Sequence, residues 1–508
     1  MSPKPNYENI ASLREKIENS LCSSNNGEEF LPNDQLGRLI TRQSVSEVLT
    51  TVNEGALSDY VKNDAARLFL ILVFMTTEKQ EKVSLIRRLR SDGLENNSLP
   101  VKFRKGGAIW KWRWHWSSTS SANPSYPVPE DWGRNETQLF YAYQWMFNVP
   151  CFGFGQPFRF RFENDTILPY LELEHKAESK GFFGEVFKVK IHQAHINIPE
   201  LAGKARNGSV DIALKKANND PELAKYFDKE AKNLEKLRTY KSKHLIKPIA
   251  AYEHRGDRCL IFPWADKGNL YQYWGQCDGN PEMSWITHQL SGLFSALKEL
   301  HQANCRHGDL KPENILLYVN EANDTILQIA DLGLTTFHEQ DASTRIRRAA
   351  NLHTATPPGT SRYEPPETDQ DRVEDQNKGI EDRIKNPEVH EARSRAYDIW
   401  SMGCIVLELL IWLSNGFDTV DKFRKKTPYL WERDGTDYRI QKHAREHIEA
   451  MSKKWKPNSA CGDLLKFVQN RLLVIKVSNN NESSPDHRET AAVAWKKMRE
   501  IQRKHYPV

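Results

Sequence analysis

The chain is poor in the features that would assign it at a glance. Its seven cysteines, at 22, 151, 259, 277, 305, 404 and 461, are odd in number, scattered over 508 residues and nowhere spaced as CxxC. That spacing argues against a disulfide framework or a zinc site and suits packing thiols in a reducing compartment. Charge of one sign is missing too. Against 72 Lys and Arg stand 67 Asp and Glu, and a balance of +5 on a chain this long calls for no nucleic-acid partner. Long apolar runs are absent: "LFLILVFM" from Leu68 and "CIVLELLIWL" from Cys404 are short of a bilayer span, and Glu408 interrupts the second. The opening "MSPKPNYENI" has no apolar stretch of the secretory kind. The expectation is therefore a cytoplasmic or nuclear protein with no membrane partner.

What is present is ordinary globular material, 39% hydrophobic and 27% charged, in a chain long enough for two or three domains. Up to residue 165 the pattern predicts a mostly helical region. "NYENIASLREKIENSL", "DYVKNDAARLFLILVFM" and "EKQEKVSLIRRLRSDGL" each carry apolar residues at helical spacing, the last stopped by Gly93. The texture then turns basic and aromatic in "KFRKGGAIWKWRWHW". As a strand, this would put Trp110, Trp112, Trp114 and Trp116 on one face, opposite Lys111, Arg113 and His115. A buried strand face is the favoured reading; a partner-docking surface or a single-stranded nucleic-acid platform are the alternatives. A loop over 117–130 and the aromatic run "QLFYAYQWMFNVPCFGFG" follow.

From Thr166 the pattern changes to strand, glycine turn, strand, strand and helix. "HKAESKGFFGEVFKVKI" predicts two antiparallel strands around Gly181 and Gly184; "SVDIALKKA" predicts another strand, and "PELAKYFDKEAKNLEKLR" a helix opened by Pro221. Phosphoryl transfer needs amides and a cation on the phosphates, metal ligands, and a carboxylate beside the attacking hydroxyl. The candidates occur in order. Gly181 and Gly184 would let backbone approach phosphate, although such a pair also suits a plain hairpin, and Ser179 replaces a further glycine. Val186 would cover a base. Lys215 stands on a predicted strand with Glu230 on the helix to face its amine. "RCLIFPWADKGNL" reads as a strand running into an extended hinge with Phe262, Pro263 and Trp264. "CRHGDLKPENILL" supplies Asp309 as base, Lys311 as a cation for the transferring group and Asn314 as a metal ligand, and "IADLGL" adds Asp331, an oxygen donor suited to Mg²⁺.

In this order the segments resemble those of a eukaryotic protein kinase domain over residues 166–505. The resemblance implies an α+β, bilobal fold with a small β-rich lobe at 166–265, a large helical lobe at 266–505 and a charged insertion at 368–394, behind a mostly helical region at 1–165. It implies ATP and Mg²⁺ as cofactors, with Ala213 and Leu316 joining Gly181, Gly184, Val186, Phe262, Pro263 and Trp264 around the nucleotide. Lys215 and Glu230 would form an ion pair, Asn314 and Asp331 would bind Mg²⁺, and Asp309 would be the catalytic carboxylate. Glu367 of "GTSRYEPPE" would pair with Arg488, Asp398 would anchor the catalytic loop, and Leu234, Leu332 and His307 would stack together. Lys311 and the Gly359–Thr360 pair resemble the Ser/Thr class, which implies protein substrates. The wording of "FPWADKGNL", "HGDLKPENIL" and "FYAYQWMF" is similar to kinase-domain families of filamentous fungi. No role for the N-terminal region follows from that likeness; residues 1–165 of this chain are a candidate surface for a protein partner.

One residue departs from the pattern. Gly308 stands where most of the family has Arg, so the alternatives are a pseudokinase scaffold and a small-molecule phosphotransferase, whose loops also read HGD. The second would not carry "KPEN", "DIWSMG" or the long segment from Asp331 to Glu367. The first would need a broken part, and Lys215, Glu230, Asp309, Lys311, Asn314 and Asp331 are all present. Gly308 either relaxes the turn before Asp309 or removes an Arg that would hold a phosphate on the activation segment, where Ser343, Thr344, Thr354 and Thr356 lie near Arg345, Arg347 and Arg348.

Overall fold

The structure, a computed structural model, describes residues 8–49, 55–75, 79–101, 109–111, 125–127, 134–174, 177–181, 184–217, 221–277, 279–320, 322–331, 336–337, 361–369, 387–435, 437–476 and 487–507. The chain divides into two compact units, Met1–Ala231 with Pro248–Trp264, and Lys232–Lys247 with Ala265–Val508.

In the first unit, helices α1 (Glu8–Glu18), α2 (Asn33–Leu39), α3 (Arg42–Leu49), α4 (Gly55–Asn63), α5 (Ala66–Met75), α6 (Lys79–Ser91) and α7 (Arg134–Phe147) build the expected helical region. The stretch "DYVKNDAARLFLILVFM" is two helices, because Asn96 intervenes between them. Its backbone N–H donates to the Asp64 carbonyl at 2.6 Å, and its side-chain oxygen accepts from the Arg67 N–H at 2.8 Å, capping α5. Nor is α5 amphipathic: every residue from Leu68 to Phe74 is buried, against Leu13 and Ile17 of α1, Val45 of α3, and Phe140 and Phe147 of α7. The aromatic run lies on α7 up to Phe147, and its end leaves the helix, with Phe152–Gly153 in a short strand; on α7, buried Gln144 exchanges two hydrogen bonds with the Val101 backbone at 2.6 and 3.0 Å. Of the tryptophan-rich segment, Ile109–Lys111 is a strand paired with Ser125–Pro127, whereas Trp112, Trp114 and Trp116 lie outside the described residues.

The same unit holds the main sheet: β1 (Arg159–Arg161), β2 (Tyr170–Leu173), β3 (Ser179–Gly181), β4 (Gly184–His192), β5 (Ser209–Ala217), β6 (Ala250–His254) and β7 (Asp257–Pro263). The order is β1-β6-β7-β5-β4-β2, with β3 beside β4. All pairs are antiparallel except β1–β6, where Phe160 lies level with Tyr252 in a parallel register. Strand β1 belongs to the sheet although it precedes Thr166, where the β pattern begins in the sequence. The helical region is tied to the sheet by Asn25 N–H to the Tyr170 carbonyl (2.7 Å), by Arg255 to Glu28 (2.9 Å) and by His195. His195 Nε2 accepts from the Asn33 N–H (3.1 Å), so its proton sits on Nδ1, 3.0 Å from the Pro150 carbonyl; burial pushes this imidazole down to about 3. Helix α8 (Pro221–Leu237) starts in this unit, with Phe227 buried.

The second unit is mainly helical, with α9 (Met283–Gln302), the β8 (Ile315–Val319) and β9 (Thr325–Ile329) hairpin, α10 (Pro387–Asn415), α11 (Phe417–Lys426), the β10 (Trp431–Asp434) and β11 (Asp437–Ile440) hairpin, and α12 (Ala491–His505). The apolar run from Cys404 is part of α10, which exceeds the expected length because its first turns come from the charged insertion. By length and composition Arg395–Asn415 would cross a membrane, but 89% of its most apolar stretch is buried inside the unit. Residues 370–386 of the insertion lie outside the described residues. All seven cysteines are free thiols.

Gly184 has a fixed place in this frame. Its φ is +147°, and a Cβ there would meet the Lys216 carbonyl oxygen at 2.1 Å. We expect Gly184→Ala to cost the first unit about 2–4 kcal/mol, from overpacking plus backbone strain. Gly37→Ala, on a helix with nothing near its Cβ, should be neutral or slightly stabilising. Urea melts of the two variants check this.

Candidate active site

In the first unit β4 and β5 run side by side so that Lys215 lies level with Val186, and β5 and β7 place Ala213 level with Phe262. Strand alternation sends Lys215 to the same face as Ala213. There its Nζ meets Glu230 Oε1 of α8 at 3.1 Å, with the two side chains 14% and 10% exposed. A partly buried ammonium beside a partly buried carboxylate needs such a partner, since either alone would carry a desolvation penalty. Gly181 ends β3 and Gly184 opens β4, in register as a pair; the two turn residues between them lie outside the described residues. Phe262, Pro263 and Trp264 are half-buried at the end of β7, and Lys188 Nζ stands 5.1 Å above the Trp264 ring.

In the second unit the stretch from His307 to Asn314 is arranged by one buried carboxylate. Asp398, fully buried on α10, accepts the His307 N–H, the Gly308 N–H and a hydrogen bond from His301 Nε2, all at 2.9 Å. Burial alone would raise its carboxyl, but the His301 bond and charge, with the nearby charge of Arg306, hold it below the usual carboxylate range. Gly308, which gives one of these N–H groups, has φ +83°, a backbone shape that other residues adopt only with strain, and from it the chain turns on toward Asp309. His307 is fully buried: Nδ1 accepts from the Asp309 N–H (3.2 Å) and Nε2 donates to the Ala330 carbonyl (2.9 Å).

Asp309 Oδ2 then receives Lys311 Nζ at 2.8 Å and Asn314 Nδ2 at 3.0 Å, and the same amide donates to the Asp309 carbonyl at 2.8 Å. Ala330 N–H donates to the Asn314 carbonyl (2.8 Å), which carries the chain to Asp331 beside Asp309. Asp331 has φ +55°, uncommon for a residue with a side chain and a recurrent mark of functional sites. Burial pushes the Asp309 carboxyl above the usual range and the charge of Asp331 adds to this, while the charge and hydrogen bond of Lys311 pull the other way. Leu316 is half-buried on β8, and Leu332 lies outside the described residues.

Further along, Glu367 and Arg488 form a buried fork at 2.6 and 3.1 Å. Sequence reading missed a second fork. Arg362 Nε meets Glu408 Oε1 at 2.6 Å, Tyr363 Oη donates to Glu408 Oε2 at 2.9 Å, and Arg362 also bonds Thr427. Glu408 was visible as a lone charge in an apolar run, but nothing in the sequence pointed to partners so distant along the chain.

The family model described as "Protein kinase domain" matches residues 201–466, just over half of the chain. The chain belongs to the protein kinase domain family. Its curated relatives include a membrane-associated tyrosine- and threonine-specific cdc2-inhibitory kinase of Drosophila melanogaster, 29% identical over 47% of this chain and 36% of the relative. They also include homeodomain-interacting protein kinase 1 of Caenorhabditis elegans, 24% identical over 46% of this chain and 22% of the relative. The matched stretches thus span no more than 36% of the length of these two kinases. Membership carries with it the mixed α/β kinase fold. Asp398 is the anchor of the kinase loop here. Replacing it by Asn should leave one N–H facing an amide rather than a carboxylate, lowering the stability of the second unit by about 3 kcal/mol. Thermal melts, with and without the substitution, provide the measurement.

Proposed function

We propose that this kinase transfers the γ-phosphoryl group of Mg·ATP to Ser and Thr hydroxyls of protein substrates, in signalling. The observation that carries the reading is the Asp309 carboxylate, held by Asn314 and accompanied two residues on by Lys311 at 2.8 Å. Asp309 would accept the hydroxyl proton, and its raised carboxyl makes it a better base than an ordinary aspartate. Lys311, on the same carboxylate, would neutralise the group in transfer and favours the Ser/Thr class. Lys215, kept in place by Glu230, would hold the α- and β-phosphates. Backbone around Gly181 and Gly184 would approach the phosphates, while Val186, Ala213, Phe262, Pro263, Trp264 and Leu316 would line the adenine.

The donor set fits Mg²⁺. Asn314 spends its amide N–H groups on Asp309, which leaves its oxygen as the ligand group, and Asp331 adds a carboxylate close enough to act on Asp309 electrostatically. No cluster of three or more His, Cys, Asp or Glu side chains suited to a metal occurs among the described residues; an ion held by Asn314 and Asp331 would take its remaining ligands from phosphate and water. When bound, the ion would offset charge on the phosphates.

A Mg·ATP assay on generic peptides should show Asp309→Ala slower by about 10²–10⁴-fold; equal activity in the two proteins would remove the enzyme reading, and nucleotide binding without transfer by wild type would make the chain a pseudokinase. For wild type, kcat/KM should fall on the acid side through a pKa above that of a free aspartate. Lys311→Ala, which removes a group pulling that pKa down, should move the acid limb to higher pH.

Gly308 supports an unusual mode of control. It serves the turn toward Asp398 and brings no cation to a phosphorylated activation segment. The candidate sites Ser343, Thr344, Thr354 and Thr356 lie outside the described residues. Phosphatase treatment should therefore leave most of the activity intact; near-complete loss would contradict this reading.

A further inference from the structure

The segment Ser361–Asp369 is held at several points, none of which needs a phosphate. Arg362 and Tyr363 are locked to Glu408 from within, and Ser401 Oγ donates to the Tyr363 carbonyl at 2.9 Å. Glu367 is forked by Arg488. The outer side is held by the β10–β11 hairpin. Trp431 Nε1 donates to the Glu364 carbonyl at 2.9 Å, while Asp369 Oδ2 accepts Arg433 Nε (2.8 Å), Arg433 Nη2 (2.6 Å) and Tyr438 Oη (3.0 Å). The hairpin is stiff. The Trp431 ring packs edge-on against Tyr438 and tilted on Tyr429, Glu432 takes Arg439 and Arg445, and Gln441 N–H closes the base on the Leu430 carbonyl.

The segment also adjoins the catalytic loop. Arg424 Nη2 bonds Glu313 Oε1 of that loop at 2.6 Å, while its carbonyl accepts Arg362 Nη1 at 2.7 Å. Tyr397 feels the charges of both Glu364 and Asp309. One end of this bracket is therefore set against the Asp309 loop and the other against the hairpin.

We propose that the β10–β11 hairpin is a positioning element for the peptide acceptor: through Trp431, Arg433 and Tyr438 it keeps Ser361–Asp369 in the shape that presents a Ser or Thr hydroxyl to Asp309. The proposal rests on the Ser/Thr kinase reading above. It assigns to fixed protein contacts the ordering that a phosphate and an Arg in place of Gly308 would otherwise supply. Trp431 and Arg433 bond Glu364 and Asp369 of the segment itself, so their loss acts through the segment.

The test uses the full chain with Arg433→Ala and Trp431→Phe, the latter keeping the ring and removing the N–H. Arg433 is largely exposed, so its truncation should leave the fold intact. Two readouts are taken: KM for peptide against KM for ATP, and hydrogen exchange of the 361–369 amides. The expected result for Arg433→Ala is a rise of about five- to tenfold in peptide KM, unchanged KM for ATP, and faster exchange over 361–369 by a similar factor. Trp431→Phe should shift both in the same direction. Exchange over 361–369 unchanged in both variants overturns the proposal, as does faster exchange with unaltered peptide KM. A wild-type chain that phosphorylates no peptide would overturn the Ser/Thr reading instead, with the exchange rates still judging whether the hairpin holds the segment.

Discussion

The arrangement of the His307–Asn314 loop depends on the burial of one charge. A carboxylate with no exposed surface is tolerated only if donors surround it, and Asp398 has three: His301 and the consecutive N–H groups of His307 and Gly308. One of those N–H groups belongs to Gly308, whose positive φ sets the direction of the chain on to Asp309, so the glycine and the buried aspartate together shape the loop. Once His307 is held, its ring links the Asp309 N–H to the Ala330 carbonyl. Asp309, Asn314 and Asp331 then follow with little freedom. Mutual repulsion between Asp309 and Asp331 is the electrostatic consequence, relieved in part by Lys311.

The first unit follows a different rule, that of sheet register. Lys215 reaches Glu230 because β5 lies between β4 and β7 with its alternation intact, and Gly184 lets β4 approach the Lys216 carbonyl. The helical region is joined to this sheet by backbone and side-chain bonds, and β1 adds to it in parallel beside β6. An added edge strand covers hydrogen-bonding groups that would otherwise be open to other chains. His195, kept neutral by burial, suits its task of accepting one N–H and donating to one carbonyl.

Much of the candidate site was legible along the chain. Lys215, Glu230, Asp309, Lys311, Asn314 and Asp331 stand in short segments whose residue types would each serve one step of the proposed phosphoryl transfer, and loop chemistry is local enough to be read that way. The helix from Pro221 and the strand around Lys215 were equally legible, because apolar periodicity reports local structure. The break between α4 and α5 was not, since its cause is Asn96, far downstream. Nor was the full burial of α5, because an apolar run does not reveal how many neighbours surround it. Arg362 with Glu408, and Arg433 with Asp369, escaped notice for the same reason: an ion pair between remote residues leaves no periodic trace.

The sequence by itself determined the family, the order of the catalytic segments and the glycine at 308, because each is a matter of residue type at short spacing. Only the tertiary structure decided what that glycine does. Its positive φ and its bond to Asp398 join residues some ninety positions apart along the chain. Contacts of that range are chosen by packing, where the cost of burying a charge selects its partners wherever the fold brings them.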